Sequence, residues 1–225
     1  ASVRACARDA EAEGWTLVAD TDSGGGGPEI PRLVMQGYAL IVDEVEAVDA
    51  TPPSHVFVPG AVGGLAAAIV SAYWERRGAD RPIIICVEPE QADCISRSLA
   101  ARRPTAVEGE VDSFMACLAA GEVSPAAWPI LEAGLDAALA IPDSAAMEAM
   151  RLLADGVAGD PPIVSGESGA AATAALIAAA QDPDVKAALG LGPDSRVLMI
   201  GSEGATDPET YTRTVGRPAS AVAAA

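Results

Sequence analysis

Residues 55–65 read His-Val-Phe-Val-Pro-Gly-Ala-Val-Gly-Gly-Leu, and an Ala-rich stretch continues from there to Arg77. A short apolar strand, His55 to Val58, gives way to a glycine turn and then to a helix over about 64–77. Pro82 to Val87 follows as an unbroken apolar run of strand length, the pattern of a parallel strand buried on both faces. Working outward, the same alternation recurs. Trp15 to Asp20, Pro104 to Val107, Ala138 to Ile141 and Arg196 to Ile200 read as further strands. Helices are predicted over about 31–48, 91–101, 112–120, 125–137, 144–153 and 168–180, with Pro31 suited to a first turn. Ser2 to Glu13 reads as a helix interior, a sequence entered midway rather than a signal peptide. Strands alternating with helices predict an α/β fold, a doubly wound parallel sheet with flanking helices. No linker or internal repeat divides the chain, so one domain over 1–225 is expected. The four glycines at 24–27 are too few for an interdomain linker and are expected to form a mobile loop.

Composition narrows the partners. Half of the 225 residues are hydrophobic, mostly small aliphatic types, with three Trp, three Tyr and two Phe, so a sizeable core of closely packed helices is affordable. Fourteen basic against 32 acidic residues give a formal charge of −18, which argues against nucleic acid or an anionic membrane surface as partner. No apolar run reaches the roughly 20 residues of a membrane span. A cytoplasmic protein is expected. The only lysine is Lys186, within Asp-Pro-Asp-Val-Lys-Ala-Ala-Leu, which reads as an exposed surface helix. Cys6, Cys86, Cys94 and Cys117 form no CxxC pair and there is one His, so no zinc site is expected. Free thiols in a reducing compartment are the expectation, with a Cys94–Cys117 bridge as the alternative.

In doubly wound sheets, ligands bind beyond the carboxyl ends of the strands. That rule singles out the turns after Asp20, Val58, Val87 and Ile200. In Gly60-Ala61-Val62-Gly63-Gly64-Leu65 the glycines let backbone N–H groups point into the turn, and the helix N-terminus adds positive potential. The spacing is neither the Walker pattern nor GxGxxG. It reads either as a site for a phosphate dianion or as a tight βα turn. Asp20, at a strand end, is a candidate base or amine anchor, or else a cap. Glu88-Pro89 ends its strand and carries little signal. Ser165-Gly166-Glu167-Ser168-Gly169 and Ser202-Glu203-Gly204-Ala205-Thr206-Asp207 offer hydroxyls and carboxylates with little bulk. Together these turns leave room for a planar, phosphorylated cofactor.

Several stretches resemble the diaminopropionate ammonia-lyase family. They are Met35-Gln36-Gly37-Tyr38, the glycine turn, Val87-Glu88-Pro89 with Ala92-Asp93-Cys94, and Gly121-Glu122 with Pro125 and Trp128. Ser165-Gly166-Glu167-Ser168-Gly169-Ala170 and Ser202-Glu203-Gly204 with Thr206-Asp207-Pro208-Glu209 complete the set, in the family's order over nearly the whole chain. The resemblance implies the large cofactor-binding domain of a fold type II pyridoxal-phosphate enzyme. The implied reaction removes both amino groups of 2,3-diaminopropionate, a small amino-acid substrate, to give pyruvate and ammonia in a homodimer. It also implies that Gly60, Ala61, Val62, Gly63, Gly64 and Leu65 hold the cofactor phosphate. Asp20 would be the acidic group near the substrate, Thr206 would lie near the pyridine nitrogen, and Ser165 and Glu167 near the ring or substrate.

The sequence also departs from the family. The lysine that holds the cofactor belongs to an N-terminal region that these residues do not match, and Lys186 is no substitute. Gly24 to Gly27 replace an aromatic residue usual after the Asp20 turn, and Ala120 stands where the family commonly has Cys. Three readings stay open. The chain is a piece of a longer lyase, a subunit whose partner chain carries the missing region, or a non-catalytic homologue that binds a phosphorylated ligand or acts as an interaction subunit.

Overall fold

A computed structural model describes residues 2–21 and 29–223. The glycine run at 24–27 lies outside the described residues. In chain order the elements are α1 (Ser2–Glu13), α2 (Glu29–Tyr38), α3 (Leu40–Val48), β1 (His55–Pro59), α4 (Gly64–Arg77), β2 (Ile83–Pro89) and α5 (Cys94–Ala101). There follow α6 (Trp128–Gly134), β3 (Ala137–Ile141), α7 (Asp143–Asp155), α8 (Ala171–Gln181), α9 (Pro183–Leu189), β4 (Val197–Met199), α10 (Pro208–Val215) and α11 (Ala219–Ala223).

The four strands form one parallel sheet in the order β3-β2-β1-β4. The chain builds outward from β1 through β2 to β3, then returns to add β4 on the other side of β1. That reversal creates a switch point between β1 and β4, where crossovers leave a crevice at the strand ends. Both faces of the sheet are covered, which is why β1 is buried along its whole length. Val56, Val58, Ile84 and Cys86 pack with Ala66, Ala67 and Val70 of α4 and Leu131 of α6. Phe57, Ile85 and Val87 point the other way, into Ala146 and Met150 of α7 and Ala171 and Ala175 of α8. Small side chains let these helices sit close. At Gly134 a Cβ would come within 2.4 Å of Val70 Cγ1 on α4.

Four expected elements need correction, and each failure has a hydrogen-bonding cause. Trp15 to Asp20 is not a strand: no described strand lies beside it, and Trp15 and Val18 are 67% and 72% exposed. Pro104 to Val107 is not a strand either, because Pro104 lacks an N–H, Thr105 N–H goes to Ser98 Oγ (2.9 Å), and Val107 N–H goes to Gly121 O (2.8 Å). The expected helix over 112–120 shrinks to a 3-10 turn at Ala116–Leu118. Asp143 captures Ser113 Oγ and Phe114 N–H, and Ser168 Oγ captures Cys117 N–H, so the donors a helix would use are spent on tertiary partners. The helix over 125–137 is only α6, because Asp136 N–H donates to Ile84 O (3.1 Å) and draws the chain into the sheet. Smaller differences are a break at Ala39 that divides the helix over 31–48, and a 3-10 turn at Glu90–Ala92 ahead of α5.

Candidate functional site

The crevice at the switch point is a cavity of about 470 Å³ between the ends of β1 and β4. Its floor is the glycine turn. Gly60 N–H prolongs the ladder by donating to Val87 O (2.8 Å), and a Cβ on Gly60 would lie 2.9 Å from Glu88 Cγ and 3.0 Å from Cys86 Sγ. Gly63, at φ +94°, turns the chain into α4, and a Cβ there would meet Leu131 Cδ1 at 2.6 Å. Only glycine satisfies both demands. As N-cap of α4, Gly63 supplies no side-chain acceptor, so the first-turn N–H groups of this 14-residue helix have no capping side chain. Ala61 also adopts a left-handed conformation, at φ +53°.

The opposite wall is the segment after β4. Glu203 organises it. Its carboxylate accepts Ser168 N–H at 2.9 Å through Oε2, and through Oε1 it accepts the Thr206 hydroxyl and, at 3.7 Å, the Cys117 thiol. Its carbonyl accepts Gly166 N–H at 3.0 Å. The two small-residue motifs therefore meet backbone to backbone: a Cβ on Gly166 would sit 2.1 Å from Gly204 O, and one on Gly169 would sit 2.2 Å from Glu203 O. Asp207 caps α10 by accepting Glu209 and Thr210 N–H, and these bonds hold its carboxyl below the ordinary range.

Of the residues expected from the sequence, Asp20, Gly60, Ala61, Val62, Gly64, Leu65 and Thr206 line the cavity. Gly63 stands behind the turn, against Leu131. Ser165 and Glu167 do not line it; they are buried at 5% and 6% exposure behind the Gly166–Gly204 contact. Burial, with the charges of Glu203 and Asp207, pushes the Glu167 carboxyl up. Tyr38, Cys117, Leu118, Ser202 and Glu203 line the cavity without having been singled out as site residues. Cys117 and Leu118 were hidden by the expected helix over 112–120. Tyr38, Ser202 and Glu203 stood within quoted motifs, where their types gave no hint of which would face inward.

The turn after Val87 does not open on the cavity. Glu88 is fully buried beneath the glycine turn, where its carboxylate accepts Ile95 N–H (2.7 Å), Ser96 N–H (2.8 Å) and Ser96 Oγ–H (2.7 Å). It caps α5 from the sheet, since Asp93 gives that helix no side-chain cap. Desolvation outweighs these bonds and pushes the Glu88 carboxyl above 4.5. Glu88→Gln is expected to lower stability by about 1–3 kcal/mol, because an amide NH₂ must face a donor. A raised folded-state value means that Glu88's own contribution is present below 4.5 and is lost as pH rises through that value. The deficit of the non-titrating Gln variant should therefore narrow as pH rises, read from urea unfolding across that window.

All four cysteines are free, so the alternative of a Cys94–Cys117 bridge is set aside. Cys94 donates to Ala61 O (3.6 Å), while Cys117 faces Glu203. Burial, reinforced by Glu88, pushes the Cys94 thiol up to about 12, and burial pushes Cys86 up as well. Iodoacetamide is therefore expected to modify exposed Cys6 readily in the native protein, exposed Cys117 more slowly because partial burial and Glu203 push its thiol up, and Cys86 and Cys94 only after unfolding, as read by intact mass.

The cradle suits one kind of ligand group. Its donors are backbone N–H groups at a helix N-terminus, its floor excludes side chains, and among the described residues no Lys or Arg lines it. Residues 1–203 match the family described as pyridoxal-phosphate dependent enzyme.

The chain belongs to that family.

Its cofactor is pyridoxal phosphate, and the cradle fits that molecule's phosphate. Diaminopropionate ammonia-lyase of Escherichia coli is 36% identical over 99% of this chain, and that of Salmonella typhimurium 34% over 93%. The chain spans 57% and 54% of those two proteins. A crystal structure of the Escherichia coli lyase with D-serine superposes with a TM-score of 0.85 at 33% identity, covering 95% of this chain and 55% of that one. A maize serine racemase, at 21% identity and TM-score 0.72, shares the fold.

Proposed function

We propose that this chain is the cofactor-binding portion of a diaminopropionate ammonia-lyase, acting on a small amino acid to release pyruvate and ammonia. The observation that carries the reading is the uncapped glycine turn opening on the same cavity as Asp20 and Thr206. In this account Gly60–Leu65 bind the phosphate through backbone N–H groups, with Gly63 setting the turn from behind. When bound, pyridoxal phosphate supplies the electron sink for removing the α-proton and losing the β-amino group. Asp20 orients the substrate's amine or takes the α-proton. Thr206 meets the pyridine nitrogen. Ser165 and Glu167 act from behind the wall, holding the Gly166–Gly204 contact in place.

The covalent anchor must come from elsewhere. Lys186, the only lysine in the sequence, is exposed on α9 and does not line the cavity. A second polypeptide segment, in the same protein or in a partner chain, supplies it, within a cytoplasmic homodimer or a complex. The exposed Trp15, Val18, Leu33 and Leu40 give such a segment apolar surface to cover. No helix among the described residues is long and apolar enough to cross a membrane. The exposed position of Lys186 also favours a second reading, a homologue that binds the cofactor without catalysis.

Borohydride reduction of natively purified material, followed by intact mass, separates the two. The lyase reading expects a reduced cofactor adduct on a lysine outside these 225 residues, together with pyruvate release from diaminopropionate. Cofactor that is bound but never fixed, with no pyruvate, overturns it in favour of the binding protein.

A further inference from the structure

The glycine turn closes on itself through Gly63 N–H, which donates to Gly60 O at 3.0 Å. Other backbone groups of the turn are held by the surrounding protein: Gly60 N–H by Val87 O, and Val62 O by Ser124 N–H, both at 2.8 Å. The peptide between Ala61 and Val62 is the central one of this four-residue turn, and the closing bond does not fix it. With both ends held, such a peptide can rotate by about half a turn, which is the difference between two turn types. A bond from outside the turn opposes that rotation. Ala61 O accepts the Cys94 thiol at 3.6 Å, and Cys94 is buried and does not line the cavity.

A carbonyl cannot donate, so the proton in that bond is the thiol's. Cys94 keeps it, because burial and Glu88 push the thiol up to about 12. The Glu88 carboxylate competes for the same proton, but it already accepts Ile95 N–H, Ser96 N–H and Ser96 Oγ–H. Those bonds fix the first turn of α5, and with it Cys94. In a trans peptide the N–H points opposite to the C=O. A carbonyl drawn toward Cys94 therefore turns the Val62 N–H the other way, and Val62 lines the cavity. Among the described residues no acceptor takes that N–H. The Val62 side chain works in the same sense. Ala61 has φ +53° and Val62 a negative φ, whereas the rotated peptide would require a positive φ at both. For a β-branched residue that conformation is strongly disfavoured.

We infer that Cys94 is a positioning residue for the phosphate cradle: its thiol and the branched Val62 side chain together hold the Val62 N–H toward the ligand's phosphate. This rests on the reading that Gly60–Leu65 bind that phosphate. Either lock alone keeps the peptide in the binding sense. Loss of both lets the carbonyl turn inward, which replaces a donor by a partial negative charge facing the phosphate.

A double-variant cycle tests this, read by titration with pyridoxamine phosphate and with pyridoxamine, which lacks the phosphate. Cys94→Ala alone should lower the preference for the phosphorylated form by less than about threefold, because Val62 still holds the peptide. In the Val62→Gly background the same substitution should lower it by about tenfold or more. Pyridoxamine affinity should change by less than about twofold throughout, since it makes no phosphate contact. Equal effects of Cys94→Ala in both backgrounds, no effect in either, or an equal loss for both ligands overturns the inference while the cofactor reading stands. A wild type with no preference for the phosphorylated form overturns that reading, and the inference with it. Should the double variant not fold, the wild type decides by amide resonances. The Val62 amide proton should move downfield on adding pyridoxamine phosphate, and no movement there while Gly64 responds overturns the inference.

Discussion

Gly166→Ala is expected to lower the unfolding free energy by about 3 kcal/mol, the upper end of what an overpacked site costs, and to weaken cofactor binding at least about tenfold. The new Cβ would lie 2.1 Å from Gly204 O and 3.1 Å from Glu203 Cγ. The nearer obstacle is backbone, so no rotamer change relieves it. The two segments must part, and the bond from Gly166 N–H to Glu203 O goes with them. Because Glu203 also holds Thr206 and Ser168, the whole wall of the cavity shifts. Gly192→Ala is the control: nothing lies within 4 Å of a Cβ there, so its stability should stay within about 0.5 kcal/mol of the wild type. Urea midpoints with unchanged slopes for both variants would separate local overpacking from loss of two-state folding.

Ala61→Asp should abolish most phosphate binding without unfolding the protein. Ala61 lines the cavity at φ +53°, a conformation that Asn and Asp adopt more readily than Ala does. Ala61→Asn is therefore expected to leave stability unchanged or slightly raised, and to keep the cofactor. Ala61→Asp relieves the same backbone strain but sets a carboxylate beside the phosphate. Like charges juxtaposed without room for water cost several kcal/mol, which corresponds to a loss of on the order of 100-fold or more. Equal affinities for the Asn and Asp variants would mean that the phosphate lies elsewhere. Isothermal titration with pyridoxamine phosphate, alongside thermal unfolding, reports both quantities.

The sheet and the cradle could be read from residues because they depend on local features. Pro82 to Val87 is apolar without interruption, and the strand it implies is β2, buried nearly end to end. The glycine turn sits between a strand and a helix, and Gly60 and Gly63 there answer to a near contact and to a backbone angle. What could not be read depends on partners far along the chain. Residues 112–120 have helix-compatible composition, yet their donors belong to Asp143 and Ser168. Glu88 looked incidental because its role, capping α5 from beneath the glycine turn, exists only once β2 lies beside β1. Glu203 was visible in a motif, but its three side-chain donors come from Ser168, Thr206 and Cys117, and two of these are distant in sequence. Trp15 to Asp20 failed for the opposite reason: an apolar run forms a strand only where a neighbouring strand accepts it.

The most direct test of the central claim, that this chain holds a phosphorylated cofactor through backbone donors at the head of α4, is a paired titration with pyridoxamine phosphate and pyridoxamine. Neither carries an aldehyde, so adducts on Lys186 or the N-terminus cannot mimic binding. Two or three charge-assisted hydrogen bonds to the phosphate predict that the phosphorylated form binds on the order of 100-fold or more tightly. Equal affinities for the two, or binding by neither, would contradict the account.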